Sequence, residues 1–232
     1  MARILLLHGL GGTAATMQPL IDGLHARGHV TYAPTLPGHG TSAEELETVG
    51  WGDWLHAARA WPADVIVGQS MGASLALALA AEDGCRAVVA INPPAPDPDA
   101  VDGLEWRQSR GHGWMDGPAL AEGEAGYTRL PITALLEMTR GVLAADLNSV
   151  TCPVLLVTGA LDDVVDPAGA DLIAADLGGP VARITLHHSG HVATLGPDVE
   201  ALLASVAGFV DARLTALNHA PGGEDGELAD EP

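Results

Sequence analysis

Lysine is absent from this 232-residue sequence, and all ten of its basic side chains are arginine. A phosphate-binding loop of the Gly-Lys-Ser/Thr kind is excluded, because its lysine has no candidate. Basic charge as a whole is scarce: thirty Asp and Glu leave a formal net charge of -20. Nucleic acid and anionic membrane surfaces carry charge of the same sign and would be repelled, so a small neutral substrate is the expected partner. Cysteine is nearly missing. Cys85 and Cys152 lie in or beside apolar runs without the spacing of a disulfide framework, which points to a reduced, cytoplasmic protein with both thiols packed in the core. No apolar run is long enough to span a bilayer. The opening "MARILLL" has one basic residue and a very short apolar run without a small-residue cleavage pattern, so it reads as a first strand and not as a signal peptide. No internal repeat is found.

What is present suits one large α/β domain: 47% of residues are hydrophobic, enough at this length for a full core. Short apolar, β-branched runs at Ile4–Leu7, Val30–Ala33, Val65–Val67, Ala87–Ile91, Val154–Val157 and Ala182–Leu186 predict strands buried on both faces. Helix-length patterns lie between them, at Ala14–Arg27, Trp51–Trp61, Met71–Glu82, Pro131–Ala145, Pro167–Asp176 and Pro197–Arg213. This alternation implies a mostly parallel central sheet with helices on both faces. Residues 93–130 interrupt it, with "NPPAPDPDA" followed by glycines and Trp106 and Trp114. The stretch is too long for an ordinary connection. It is expected to belong to a small cap, inserted at about 93–145 in a domain spanning 1–213 and covering the carboxyl edge of the sheet. Leu104, Trp106, Trp114, Leu120 and Leu135 either line an acyl pocket there or pack the cap onto the sheet. Residues 214–232 are acidic without a hydrophobic pattern, and a disordered tail is expected.

Within "VIVGQSMGASLALALA", a strand pattern runs into Gly-x-Ser-x-Gly and then into a helix pattern. A turn that sharp strains its central residue and leaves room only for hydrogen two positions to either side, where Gly68 and Gly72 stand. Ser70 is then presented at the top of the sheet. The Met71 N–H, at the start of the next helix, has no partner within that helix and favours developing negative charge. In "LLLHGLGGT", the glycine-rich turn after the first strand can aim the Leu10 N–H at the same oxygen. His8 in that turn reads as a structural hydrogen-bonder.

A serine hydroxyl needs a base in reach, and the base needs a carboxylate to fix its tautomer. Both are expected on loops at the carboxyl edge, in the order Ser, Asp, His. "VLLVTGALDDVVDP" offers Asp162, Asp163 and Asp166, of which Asp166 suits a cap for the helix begun by Pro167. Asp162 is preferred in the adjacent pair. "ARITLHHSGHVATLG" offers His187, His188 and His191. His191 follows a Ser-Gly turn that can project its ring over the sheet, whereas the other two read as strand-end residues, one packed and one exposed. Their spacing matches no strong metal-ligand pattern.

Taken in order, "LLLHGLGGT", "PTLPGHGTSAEEL", "GQSMGASLAL", "CPVLLVTGALDDVVDP" and "SGHVATL" resemble the α/β-hydrolase superfamily, and within it the bacterial carboxylesterase and monoacylglycerol lipase branch. The resemblance runs over almost all of residues 3–210. It implies Ser70 as nucleophile, Asp162 as acid, His191 as base, the N–H groups of Leu10 and Met71 as oxyanion hole, and His39 of "LPGHG" as scaffold. In the lipase branch a cap glutamate three positions before a tyrosine binds the glycerol end of the substrate; "EAGY" puts Glu124 and Tyr127 at that spacing. The implied activity is a serine hydrolase cleaving short- to medium-chain acyl esters or monoacylglycerols through an acyl-enzyme, with no metal or organic cofactor. The same triad also suits a thioesterase, an acyltransferase or a carbon–carbon bond hydrolase. A non-catalytic binding protein on this scaffold would be expected to have lost a triad member. Oligomeric state leaves no mark in the sequence.

Overall fold

A computed structural model describes residues 1–120 and 123–218. The chain runs β1 (Arg3–Leu7), α1 (Gln18–His25), β2 (Val30–Tyr32), α2 (Trp51–Arg59), β3 (Val65–Gln69), α3 (Met71–Asp83) and β4 (Ala87–Ile91). It continues through α4 (Pro98–Ser109), β5 (Trp114–Asp116), β6 (Arg129–Pro131), α5 (Ile132–Ala144), β7 (Val154–Gly159), α6 (Gly169–Asp176), β8 (Val181–Leu186) and α7 (Val199–Asn218). Six strands form one sheet in the order β2-β1-β3-β4-β7-β8, and every neighbouring pair is parallel.

The strand period of two divides the side chains between two cores. Leu5, Leu7, Ile66, Val88, Ala90 and Leu156 pack with residues of α2, α3 and α5 on one face. Ile4, Leu6, Val67, Val89 and Val157 pack with Leu20 and Leu24 of α1 and Leu202 and Val206 of α7 on the other. Helix α3 is buried without a break from Met71 to Ala80, which is why its sequence is apolar all round. The inner strands β3 and β4 are buried throughout. The two end strands differ from the expectation of burial on both faces: β2 has no fully buried residue and β8 has one, Leu186, because each closes the sheet and pairs on a single side.

The segment that breaks the alternation is ordered into α4 and an antiparallel pair, β5 with β6, in the register Met115↔Leu130. Helix α4 buries none of its residues, so its sequence lacks the apolar stripe that marks a helix. Helix α7 extends to Asn218, past the expected end at Arg213, with Leu214 still packed against the core on the α1 side. Of the tail expected to be disordered, residues 219–232 lie outside the described residues. No helix among the described residues is long and apolar enough to cross a membrane.

Candidate active site

The strand order reverses direction at β1 and β3: the chain steps outward from β1 to β2, then returns to add β3 on the other side. Loops leaving two such strands diverge and open a crevice at the carboxyl edge. The loop after β1 carries Leu10 and the turn after β3 carries Ser70.

The turn at Ser70 has the strain its sequence pattern predicts. Ser70 adopts φ 55° and ψ -123°, a costly region for a residue with a side chain, and is held there by its N–H donating to the Ile91 carbonyl (2.8 Å) and by its own carbonyl accepting from Ala73 N (2.8 Å). A Cβ at Gly68 would overlap the backbone of Gly72, and one at Gly72 would overlap the Leu7 and His8 carbonyls. Only hydrogen fits. A Cβ on Gly9 would come within 3.1 Å of the Ser70 Cβ, so the loop after β1 lies directly against the serine. Leu10 follows in a turn closed by Gly12 N–H on the Gly9 carbonyl (3.1 Å).

Three residues distant in sequence converge on this point. The Ser70 Oγ lies 2.9 Å from His191 Nε2. His191 Nδ1 lies 2.9 Å from one carboxylate oxygen of Asp162 and 3.1 Å from the other. The Asp162 side chain is 1% exposed and that of His191 11%. Burial by itself pushes the Asp162 carboxyl up, but the His191 hydrogen bond and charge and the N–H groups of Val165 and Val164 outweigh it and hold the group below the usual carboxylate range. Asp162 is therefore an anion facing the imidazole. Asp163 is left exposed, and Asp166 accepts from Ala168 N (2.9 Å) just ahead of α6.

His8 is fully buried, donating from Nδ1 to the Gly9 carbonyl (2.9 Å) and accepting at Nε2 from Leu36 N (3.0 Å). Burial above all, with the nearby His39, pushes its pKa down to about 3, so the ring is neutral and structural. His39 is buried beside Trp54, with Nδ1 on the Pro37 carbonyl, and burial lowers its pKa as well. His187 and His188 are both exposed, contrary to the expectation that one would be packed, because β8 is an edge strand. Among the described residues no three His, Cys, Asp or Glu side chains converge as metal ligands.

Two residues that sequence reasoning missed brace the histidine loop. Asn92, buried at a positive φ of 46°, donates from Nδ2 to the carbonyls of His191 (2.7 Å) and Gly190 (3.1 Å), and its Oδ1 accepts from Gly159 N (2.7 Å). One side chain thus ties the end of β4 to the loops bearing both Asp162 and His191. Gln69 adds a third donor, from Nε2 to the His191 carbonyl (3.1 Å). The available signal was a polar residue at or just past the end of an apolar strand, where a side chain must satisfy loop backbone.

Glu124 is half-buried, three positions before a well-anchored residue. The Tyr127 N–H donates to the Gly11 carbonyl (2.9 Å), while its hydroxyl accepts from Thr41 N (3.0 Å) and donates to the Gly38 carbonyl (3.3 Å). A cavity of about 740 Å³ lies between the segment after β4 (Pro94, Ala95), α5 (Met138, Val142) and the loop after β7 (Val164, Val165). None of Leu104, Trp106, Trp114, Leu120 or Leu135 lines it, and Trp106 is exposed under the Arg110 guanidinium.

A parallel sheet with a strained serine at its crevice, bonded to a histidine that is bonded in turn to an aspartate, both from later loops, defines a class of protein, and comparison agrees. The model of the alpha/beta hydrolase family matches residues 4–203, and the chain belongs to that family. It is similar to the thermostable monoacylglycerol lipase of Bacillus sp. (strain H-257), at 31% identity over 215 residues and 84% of each chain. It is also similar to the 30 kDa magnesium-chelatase subunit of Rhodobacter capsulatus, at 35% identity over 156 residues, which are 61% of this chain and 52% of that one. A solved structure reported for the metagenome-derived lipolytic enzymes LipS and LipT superposes with a TM-score of 0.81 at 26% identity, over 90% of this chain and 93% of that one.

Proposed function

We propose that the protein hydrolyses carboxylic esters through an acyl-enzyme on Ser70. The observation that carries this reading is the continuous hydrogen-bond path from the Ser70 hydroxyl through His191 to the buried Asp162 carboxylate. His191 Nε2 takes the serine proton as Oγ attacks the ester carbonyl, and Asp162 steadies the imidazolium. The N–H groups of Leu10 and Met71 receive the oxyanion; each such donor is worth about 3 kcal/mol of barrier. His191 then protonates the leaving alcohol, and water repeats the sequence on the acyl-enzyme. Similarity to a monoacylglycerol lipase over 84% of both chains supports an ester substrate with an uncharged alkyl chain.

In this reading residues 93–145 form a cap over the carboxyl edge. Its support is the pinning of Tyr127 to Gly11 and to the turn at Gly38 and Thr41. Glu124, one helical turn's length of chain before Tyr127, binds the free hydroxyls of a glycerol leaving group. The cavity bounded by Val165 and Val142 has room for a medium-length acyl chain.

The similarity to a chelatase subunit raises a second reading, a non-catalytic protein on the same scaffold. The complete path among Ser70, His191 and Asp162 favours catalysis, because nothing in a binding role requires it. A fluorophosphonate probe tests the choice: the wild type should label once per chain, and Ser70→Ala should lose labelling and at least about 10⁴-fold in kcat. Labelling that persists in the variant, or none in the wild type, would reject Ser70 as nucleophile. On monoacylglycerols of graded chain length, Glu124→Gln should lower kcat/KM about tenfold while leaving simple alkyl esters unaffected; equal losses on both would remove the glycerol role.

A further inference from the structure

The two cysteines are 67 positions apart, yet Cys85 Sγ lies 3.6 Å from Cys152 Sγ. Both are free and half-buried, so they are shielded by the core without being closed to a small solute. Cys85 stands two residues before β4, Cys152 two before β7, and these strands are hydrogen-bonded neighbours in parallel register. Their amino ends therefore bring the two thiols together at the edge of the sheet opposite Ser70.

We propose that Cys85 and Cys152 form a reversible oxidation site, converted by hydrogen peroxide to an intrachain disulfide that staples β4 to β7. The two sulfurs already touch, so closing the bond needs side-chain rotation and a small shift, not a rearrangement of strands. Roles follow from the surroundings. The Cys85 sulfur, against both Cys152 and the Ala87 carbonyl (3.4 Å), keeps its proton, and burial raises its pKa further. Contact with the Cys85 thiol lowers the pKa of Cys152. Cys152 is thus the attacking thiolate. Its sulfur displaces hydroxide from peroxide, forming an S–O bond as the O–O bond breaks; the hydroxide takes up a proton and leaves as water. The Cys85 sulfur, surrendering its proton, then attacks the sulfenic sulfur and expels a second water. Two thiols lose two electrons and one peroxide gains them.

A staple that closes a 67-position loop restricts the unfolded chain, and at this size it should raise Tm by on the order of 10 °C. Its distance from Ser70 should leave esterase activity at 25 °C within about twofold.

The test is peroxide titration of the purified full-length protein, with thiol counting, intact mass and a non-reducing peptide map, followed by dithiothreitol. Expected are loss of both thiols, a mass lower by about 2 Da, a Cys85–Cys152 peptide, the higher Tm, and reversal of all four. Cys85→Ser should stop at a sulfenic acid on Cys152 that dimedone traps, whereas Cys152→Ser should remain unoxidised at the same dose. Sulfinic or sulfonic acid in the wild type without the linked peptide, disulfide-linked dimers, or two persisting thiols would each overturn the proposal. The wild-type map decides the matter even where a variant fails to fold. None of these readouts depends on ester hydrolysis.

Discussion

Asn92 holds three backbone groups of two different loops from one buried position, and that concentrates a clear prediction on it. Asn92→Asp keeps the acceptor for Gly159 N but loses both donors and sets a carboxylate against the carbonyls of Gly190 and His191. The histidine loop should move, and a displacement of about 1 Å is enough to cost about 100-fold in kcat while KM changes little. Steady-state kinetics on one ester, with circular dichroism to confirm folding, checks this; a KM effect with kcat preserved would place Asn92 in substrate binding instead. The path itself makes a second demand. His191→Ala should lose about as much kcat as Ser70→Ala, because the two act as a unit, and a variant that kept wild-type kcat would contradict the role of the imidazole.

His8 extends the residue scale to stability. Its pKa is pushed down to about 3 in the fold, against 6.5 for a free ring, so the unfolded chain binds the proton more readily. The stabilisation is complete above about pH 6.5 and is lost as pH falls toward 3, at about 1.4 kcal/mol per unit for a single group once well inside that window. Urea unfolding at pH 7.5 and at pH 5 should show the loss, and His8→Asn should be less stable at pH 7.5 yet less sensitive to acid. An equal slope in the variant would assign the acid sensitivity elsewhere.

Among the elements, those carrying the site were the legible ones. Six strands and six helices follow from apolar runs and capping residues, because inner parallel strands such as β3 and β4 are buried on both faces and must be apolar throughout. The serine turn was readable for a steric reason: only glycine tolerates the overlaps at positions 68 and 72. Gly68→Ala should accordingly displace the turn or unfold the protein, giving no labelled soluble product, whereas Gly103→Ala, with nothing within 4 Å on exposed α4, should be neutral or slightly stabilising. Comparative thermal melts and probe labelling of the two variants measure the contrast. Helix α4 and the β5–β6 pair were not legible, since α4 buries no side chain and three-residue strands show no period. Asn92 was marked only as a polar residue just past an apolar strand; the backbone conformation and the three long-range hydrogen bonds through which it works leave no further local signature. Asp162 and His191 could be singled out only because loops after strands β7 and β8 must emerge at the same edge as Ser70.

For the whole molecule, a formal charge of -20 sets a field that reaches the crevice and the chain as a whole. Ten arginines are largely taken up in local pairs, such as Arg3 with Asp64 at 3.1 Å and Arg140 with Glu105 at 2.6 Å, leaving the acidic excess uncompensated. Self-repulsion of that excess weakens the compact state, and added salt screens it over about 10 Å at 0.1 M. The same field repels an anionic ester before it meets Ser70 but leaves a neutral one of equal chain length untouched. Two effects of sodium chloride should therefore appear together: a rise in Tm, and a rise in kcat/KM for a half-ester of a dicarboxylic acid with little change for its neutral diester. Measuring both substrates between 10 mM and 500 mM salt separates steering from stability, since the neutral diester reports any general gain in active enzyme. If the half-ester gained no more than the diester, the acidic surface would have no part in choosing the substrate.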